Sequence, residues 1–113
     1  MPTDRYSIIF ARGATYTSTL TLENVDDIAT ATLWRVRCAM PNEAPFLDAT
    51  TANGMILAGE TSNSKILNVS ALTTSTMPLG NGRYDFELEF PGGVVRRYLS
   101  NQPIQVVPKV GQI

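Results

Sequence analysis

The sequence predicts an all-β chain folded as a β-sandwich or small barrel with one short helical turn. Three observations lead there. Seven or eight short stretches read as strands, several of them with polar and apolar residues in strict alternation. Turn residues separate these stretches. Charged residues make up only 17% of the chain, below the usual quarter or so, while Thr and Ser are abundant.

The first strand is predicted over Arg5 to Ala11, "RYSIIFA", broken by Arg12-Gly13. The second, Thr15 to Leu22, alternates cleanly. Thr15, Thr17, Thr19 and Thr21 share the wet face, and Leu20 and Leu22 point to the core. A turn follows at Glu23 to Asp27. The long stretch Thr30 to Met40 places Trp34, Val36, Cys38 and Met40 on the core face. Leu33, Arg35, Arg37 and Ala39 then face solvent or a partner. Pro41 cannot donate to a ladder and ends this strand.

Asn42 to Asn53 is the least regular segment, with a short edge strand expected at Pro45 to Ala49. Asn53-Gly54 signals a turn into a strand at Met55 to Ala58. Gly59 to Ser64 reads as a polar loop and Lys65 to Val69 as the next strand. Ser70 to Met77 suits one helical turn capped by Ser70, ended by Pro78 and Gly80-Asn81-Gly82. Tyr84, Phe86, Leu88 and Phe90 then alternate with Asp85, Glu87 and Glu89. Gly92-Gly93 predicts a two-residue hairpin turn with positive φ at both positions. That turn pairs Phe90 with Val95, Glu89 with Arg96 and Phe86 with Leu99, and it leaves Arg97 opposite core-facing Leu88 unless a bulge or the sheet rim intervenes. The last strand is Ile104 to Val107, between Pro103 and Pro108.

At 113 residues the chain is expected to form one domain, 1–113. A single cysteine, Cys38, permits no internal disulfide, in keeping with a reducing compartment. No signal-peptide pattern and no long apolar run is visible, so the expectation is a soluble protein made in the cytoplasm. With nine basic and ten acidic residues the chain lacks the basic excess that duplex binding needs.

Chemistry is hard to place. The chain has no histidine, which removes His-based acid–base catalysis and most zinc and iron sites. Cys38 has no His partner and shares a face with Trp34 and Val36, so it reads as core. Asp26 and Asp27 lack the central glycine of a calcium loop. Asp85, Glu87 and Glu89 line one strand face and read as partners for arginines. Arg35, Arg37, Arg96 and Arg97 would form a basic strip if their strands were neighbours, and otherwise pair with Glu87 and Glu89. Trp34 and Tyr84 lie on core faces, which argues against a sugar-stacking platform. The expectation is a non-enzymatic module without cofactor or metal, acting through its surfaces.

The order of motifs supplies a further reading. Gly13-Ala14-Thr15 is followed by the arginine strand at Trp34 to Arg37. Then come Asn53-Gly54-Met55-Ile56, the Ser/Thr-rich turn at Ser70 to Met77, Tyr84-Asp85-Phe86-Glu87, and a closing Val106 to Pro108. This order resembles small structural proteins of tailed bacteriophages over nearly the whole chain. They include capsid cement or decoration proteins, and the pattern is also similar to the N-terminal domain of phage baseplate upper proteins. The resemblance implies an immunoglobulin-like or jelly-roll-like sandwich located in the virion. It implies a decoration protein that bridges capsomers, or alternatively a tail or baseplate adaptor that anchors a fibre or receptor-binding protein. A carbohydrate-binding sandwich is the alternative from another class. The implied partners are the major capsid protein or other virion proteins and further copies of the chain, as a homodimer or higher symmetric assembly. No nucleic acid, membrane or small-molecule substrate is expected. The expected interface comprises the arm Met1, Pro2, Thr3, Asp4 and Arg5, the strand residues Arg35 and Arg37, and Asn42, Glu43, Phe46 and Asp48 in the irregular segment.

Overall fold

The computed structural model describes residues 7–22, 28–61 and 63–108. Arg5 and Tyr6 of the first predicted strand and the predicted turn at Glu23 to Asp27 lie outside these residues. Among the described residues eight strands pack as two sheets, an all-β sandwich. They are β1 (Ile8–Ala11), β2 (Tyr16–Thr21), β3 (Leu33–Ala39), β4 (Pro45–Thr50), β5 (Ile56–Ala58), β6 (Ser64–Val69), β7 (Gly80–Phe90) and β8 (Val94–Val107). One short helix, α1 (Ala71–Thr74), joins β6 to β7. The larger sheet runs β1-β8-β7-β3-β4 and the smaller β2-β6-β5. All pairings are antiparallel except β1 with β8, which is parallel, from Ile8 opposite Ile104 to Ala11 opposite Val107.

Alternation decides the faces. Trp34, Val36 and Cys38 of β3 and Tyr84, Phe86, Leu88 and Phe90 of β7 are buried between the sheets. Phe10, Leu47, Ala49, Ile104 and Val106 join them from the same sheet, and Ile56, Leu67 and Val69 close the core from the other. The Thr side of β2 is exposed, as its pattern requires, while Tyr16, Ser18 and Leu20 are half-buried at the rim. Ser70 caps α1 by accepting a hydrogen bond from the Thr73 amide at 3.2 Å. Buried Thr74 pins the helix to the turn before β2. Its hydroxyl donates to the Ala14 carbonyl at 2.8 Å and accepts from the Gly13 amide at 3.1 Å. The Arg12 guanidinium adds two bonds to the Ser75 carbonyl, at 2.9 and 3.2 Å.

Three boundaries before the last hairpin differ notably from expectation. The β3 strand starts at Leu33 rather than Thr30, because β7 turns away after Phe90 and leaves nothing to pair with; Ile28–Thr30 forms a 3₁₀ turn instead. Ser64 belongs to β6 rather than to the loop before it, paired with Thr21. Gly80-Asn81-Gly82 is not a stop but the start of β7, paired with Val106, Gln105 and Ile104. Gly82 passes so close to β3 that a Cβ there would meet the Ala39 carbonyl oxygen at 2.5 Å.

The hairpin turn holds three residues, Pro91-Gly92-Gly93, rather than two. Gly92 and Gly93 both take positive φ, 84° and 79°, as expected. The extra residue moves the register by one: Phe90 faces Val94, Glu89 faces Val95 and Leu88 faces Arg96. The predicted pairs Phe90–Val95 and Glu89–Arg96 are therefore replaced, while Phe86–Leu99 is recovered by a bulge at Tyr98. The three-residue turn itself sets Arg97 opposite Glu87 on the outer face, and it places Arg96 opposite Leu88 instead. The final strand is also longer than predicted. Ile104–Val107 is the end of the 14-residue β8, and Pro103 sits inside it, just before the β1 pairing begins.

Candidate functional site

The outer face of the five-stranded sheet carries most of the chain's organised charge. Odd-numbered residues of β3 point to this face, and its neighbours supply the carboxylates. Arg37 lies opposite Asp48 of β4 on one side and Asp85 of β7 on the other. One row along, Arg35 lies opposite Thr50 and Glu87, and Glu87 lies opposite Arg97 of β8. The two ion pairs of Arg35 run diagonally between rows, as cross-strand neighbours in a twisted sheet allow, while Arg97 and Glu87 pair directly across one row. Arg35 Nε is 3.0 Å from Asp48 Oδ1, too poorly aligned for a hydrogen bond, and Arg35 Nη1 donates to Glu89 Oε2 at 3.2 Å. Arg97 grips Glu87 Oε2 with Nε at 3.3 Å and Nη2 at 3.2 Å. The Glu87 side chain is only 8% exposed, whereas its partner Arg97 is half exposed. Pairs of this exposure contribute little to stability, roughly 0–1 kcal/mol each, and their main effect is to hold the side chains in fixed positions.

The four arginines do not form a basic strip. The acidic strand β7 lies between β3 and β8, so the pairing with Glu87 and Glu89 prevails. Arg96 turns to the other face, its guanidinium 4.8 Å from the Phe90 ring centre.

At one end of this face lies an open recess of about 340 Å³, lined in part by Arg37, Asn42, Glu43, Arg83, Asp85 and Asn101. Two unusual backbones shape it. Asn42 has φ 60°, in a turn with Pro41 before it and closed by the Glu43 amide on the Met40 carbonyl at 3.1 Å. Asn101 has φ 59°, in a second bulge of β8, and its amide donates to Asp85 Oδ1 at 2.9 Å. Asn tolerates this left-handed conformation better than most residues.

Of the expected interface residues, Arg37, Asn42 and Glu43 come together in the recess. Arg35 and Asp48 sit beside it as an ion pair. Phe46 is half-buried, packed against the core rather than presented whole to solvent. Met1, Pro2, Thr3, Asp4 and Arg5 lie outside the described residues. Arg83, Asp85 and Asn101 were not anticipated. The matching charges of "RVR" and "DFELE" hinted that β3 and β7 are neighbours, but nothing in the sequence marked the bulge at Asn101. Among the described residues no group of three or more His, Cys, Asp or Glu side chains converges to hold a metal. None of their helices is long and apolar enough to cross a membrane.

Cys38 is fully buried and its thiol is pushed up from 9.0 to about 12, first by burial and then by the negative charges of Asp48 and Asp85. Two outcomes are expected. In the folded protein, iodoacetamide at pH 8 labels Cys38 far more slowly than after unfolding in urea. The neutral thiol also favours the folded state: that contribution is complete below pH 9.0 and is lost as pH rises toward about 12. The urea midpoint of the wild type therefore falls between pH 9 and 11 more steeply than that of Cys38→Ala, which controls for Lys and Tyr titration. Equal labelling of folded and unfolded protein would contradict the burial.

No family model matches the sequence, and no curated protein matches it. Among solved structures, the second Ig domain of the mouse polymeric immunoglobulin receptor superposes with a TM-score of 0.50 at 11% identity, covering 94% of this chain and 99% of that one. At that identity the likeness concerns the fold alone, and the chain is an immunoglobulin-like β-sandwich.

Proposed function

We propose that the protein is a non-enzymatic structural module of a tailed-bacteriophage particle, a decoration protein that bridges neighbouring capsid subunits through its sheet surfaces. The order of motifs that resembles phage structural proteins supports this reading, and so does the immunoglobulin-like sandwich. The observation that carries it is the outer face of the five-stranded sheet. There Asp48, Arg35 and Glu89, and beside them Glu87 and Arg97, hold alternating charges in fixed positions on a solvent-facing surface. A pre-oriented polar surface suits recognition of another protein at low ordering cost. Repetition over a symmetric shell would then add weak contacts into firm attachment. A sugar-binding role draws no support from Trp34 or Tyr84, since both are buried.

The test is co-sedimentation of the purified protein with empty capsids and, separately, with isolated tails of the phage that encodes it. Many copies are expected in the capsid pellet. Arg37→Ala, which removes a charge from the recess and none of the partners in the three described ion pairs, is expected to reduce binding several-fold without lowering the melting temperature markedly. Recovery with tails alone, at few copies, would replace the proposal with a tail adaptor. Recovery with neither would remove it.

A further inference from the structure

We infer that the free edge of β2 is a self-association surface, on which a second copy of this chain pairs antiparallel about a two-fold axis. Each sheet has open edges, and natural proteins guard such edges with charge, proline or shortness. Four edges here are guarded. β1 has four residues and β5 three. β4 opens on Pro45 and carries Asp48. The part of β8 that runs past β1 carries Arg96 and Arg97, which would oppose one another in a symmetric pair. β2 is unguarded: six residues, "YTSTLT", with no charge and no proline.

Its backbone is set up for pairing. Among the described residues β2 pairs with β6 on one side and has no partner on the other. The ladder continues to Leu22, whose amide donates to the Asn63 carbonyl at 3.0 Å. Because hydrogen-bonded positions alternate in an antiparallel pair, Tyr16, Ser18 and Leu20 bond toward β6 as Leu22 does. The amides and carbonyls of Thr17, Thr19 and Thr21 therefore point to the open side. The strand is held rigidly at its start, where Thr74 and Arg12 tie the preceding turn to α1 and Tyr16 packs edge-on against Phe10 at 4.9 Å.

The side chains are self-complementary. A two-fold axis at Ser18 places Thr17 opposite Thr19, Thr15 opposite Thr21 and Tyr16 opposite Leu20. Threonine then meets threonine on the wet face, and aromatic meets aliphatic on the core face, both favourable cross-strand pairs. Tyr16, Leu20 and Leu22 are left half-buried at the rim, so the pairing covers apolar surface that the monomer leaves partly open. No charge on β2 opposes a second copy. The contact is isologous and closes at two copies, joining two three-stranded sheets into one of six strands.

Register-specific charges test this in sedimentation equilibrium over a wide concentration range. The wild type is expected to move from 12.3 kDa toward twice that mass as concentration rises. Thr17→Lys with Thr19→Lys sets lysine opposite lysine twice and is expected to stay monomeric. Thr17→Glu with Thr19→Lys sets glutamate opposite lysine twice and is expected to dimerise at least as well as the wild type. Both variants alter only exposed side chains, and circular dichroism checks that both fold. A wild type that remains monomeric throughout, or a double-lysine variant that dimerises like the wild type, overturns the inference. A Glu/Lys variant that stays monomeric overturns the register.

Discussion

Gly82→Ala is expected to cost about 3 kcal/mol of folding stability. Gly82 sits inside the larger sheet, with β3 on one side and β8 on the other. A methyl group there would lie 2.5 Å from the Ala39 carbonyl oxygen, 3.2 Å from Ile104 Cγ2 and 3.2 Å from Met40 Sδ. The last two belong to side chains that can shift. The first is a backbone oxygen held by its strand, so relief requires the sheet itself to open. For a domain stabilised by about 5–15 kcal/mol, the loss is a large fraction of the total. Urea unfolding of Gly82→Ala beside Asn81→Ala measures it. Asn81 is exposed on the same strand, and its variant is expected to change stability by less than about 0.5 kcal/mol. Equal midpoints for the two variants would mean that β7 and β3 do not approach as closely as described.

Trp34→Ala is expected to cost more, about 3–5 kcal/mol. Trp34 is 2% exposed, lies opposite Leu88 and packs against Phe86 with ring centres 5.8 Å apart. Lys65 of the facing sheet places its ammonium 5.4 Å from the ring centre, so the indole also bridges the two sheets at their rim. Close-packed interiors relax only partly around such a deletion, so much of the space would remain as a cavity. A fall in melting temperature of roughly 10–30 °C, read by circular dichroism, is the expected result. The same variant separates two functional readings. A tryptophan used to stack a sugar would lose binding and keep its stability, whereas this one is expected to lose much of its stability.

Alternation made the inner faces readable. Trp34, Val36 and Cys38 of β3 and Tyr84, Phe86, Leu88 and Phe90 of β7 are apolar at alternate positions and are buried; Glu87, paired with Arg97, is buried against that alternation. Capping chemistry was equally legible. Ser70 sits where a helix start needs an oxygen, and Asn53-Gly54 makes the turn its sequence announces, with Gly54 at φ 84° and Asn53 Oδ1 accepting from the Thr50 and Met55 amides, both at 3.1 Å. The register of the last hairpin was not legible. Two glycines fit a two-residue turn, and only the packing of Phe86 against Tyr98 and Leu99, with the pairing of Arg97 to buried Glu87, favours a longer turn and a compensating bulge.

The candidate site was half readable for a similar reason. Arg37, Asn42 and Glu43 stood out as polar residues in or beside an irregular segment, but their neighbours Arg83, Asp85 and Asn101 come from strands far along the chain. What the amino-acid order determined about this protein is its local grammar: which stretches extend, which faces are apolar and where the chain turns, because these follow from period, side-chain size and backbone freedom within a few residues. What only the tertiary structure decided is the pairing: the parallel seat of β1 on β8, the three-residue turn that sets Arg97 opposite Glu87, and the exposure of an uncharged β2 edge. Those depend on contacts between residues tens of positions apart, where many registers satisfy the same local pattern and the packed core admits one.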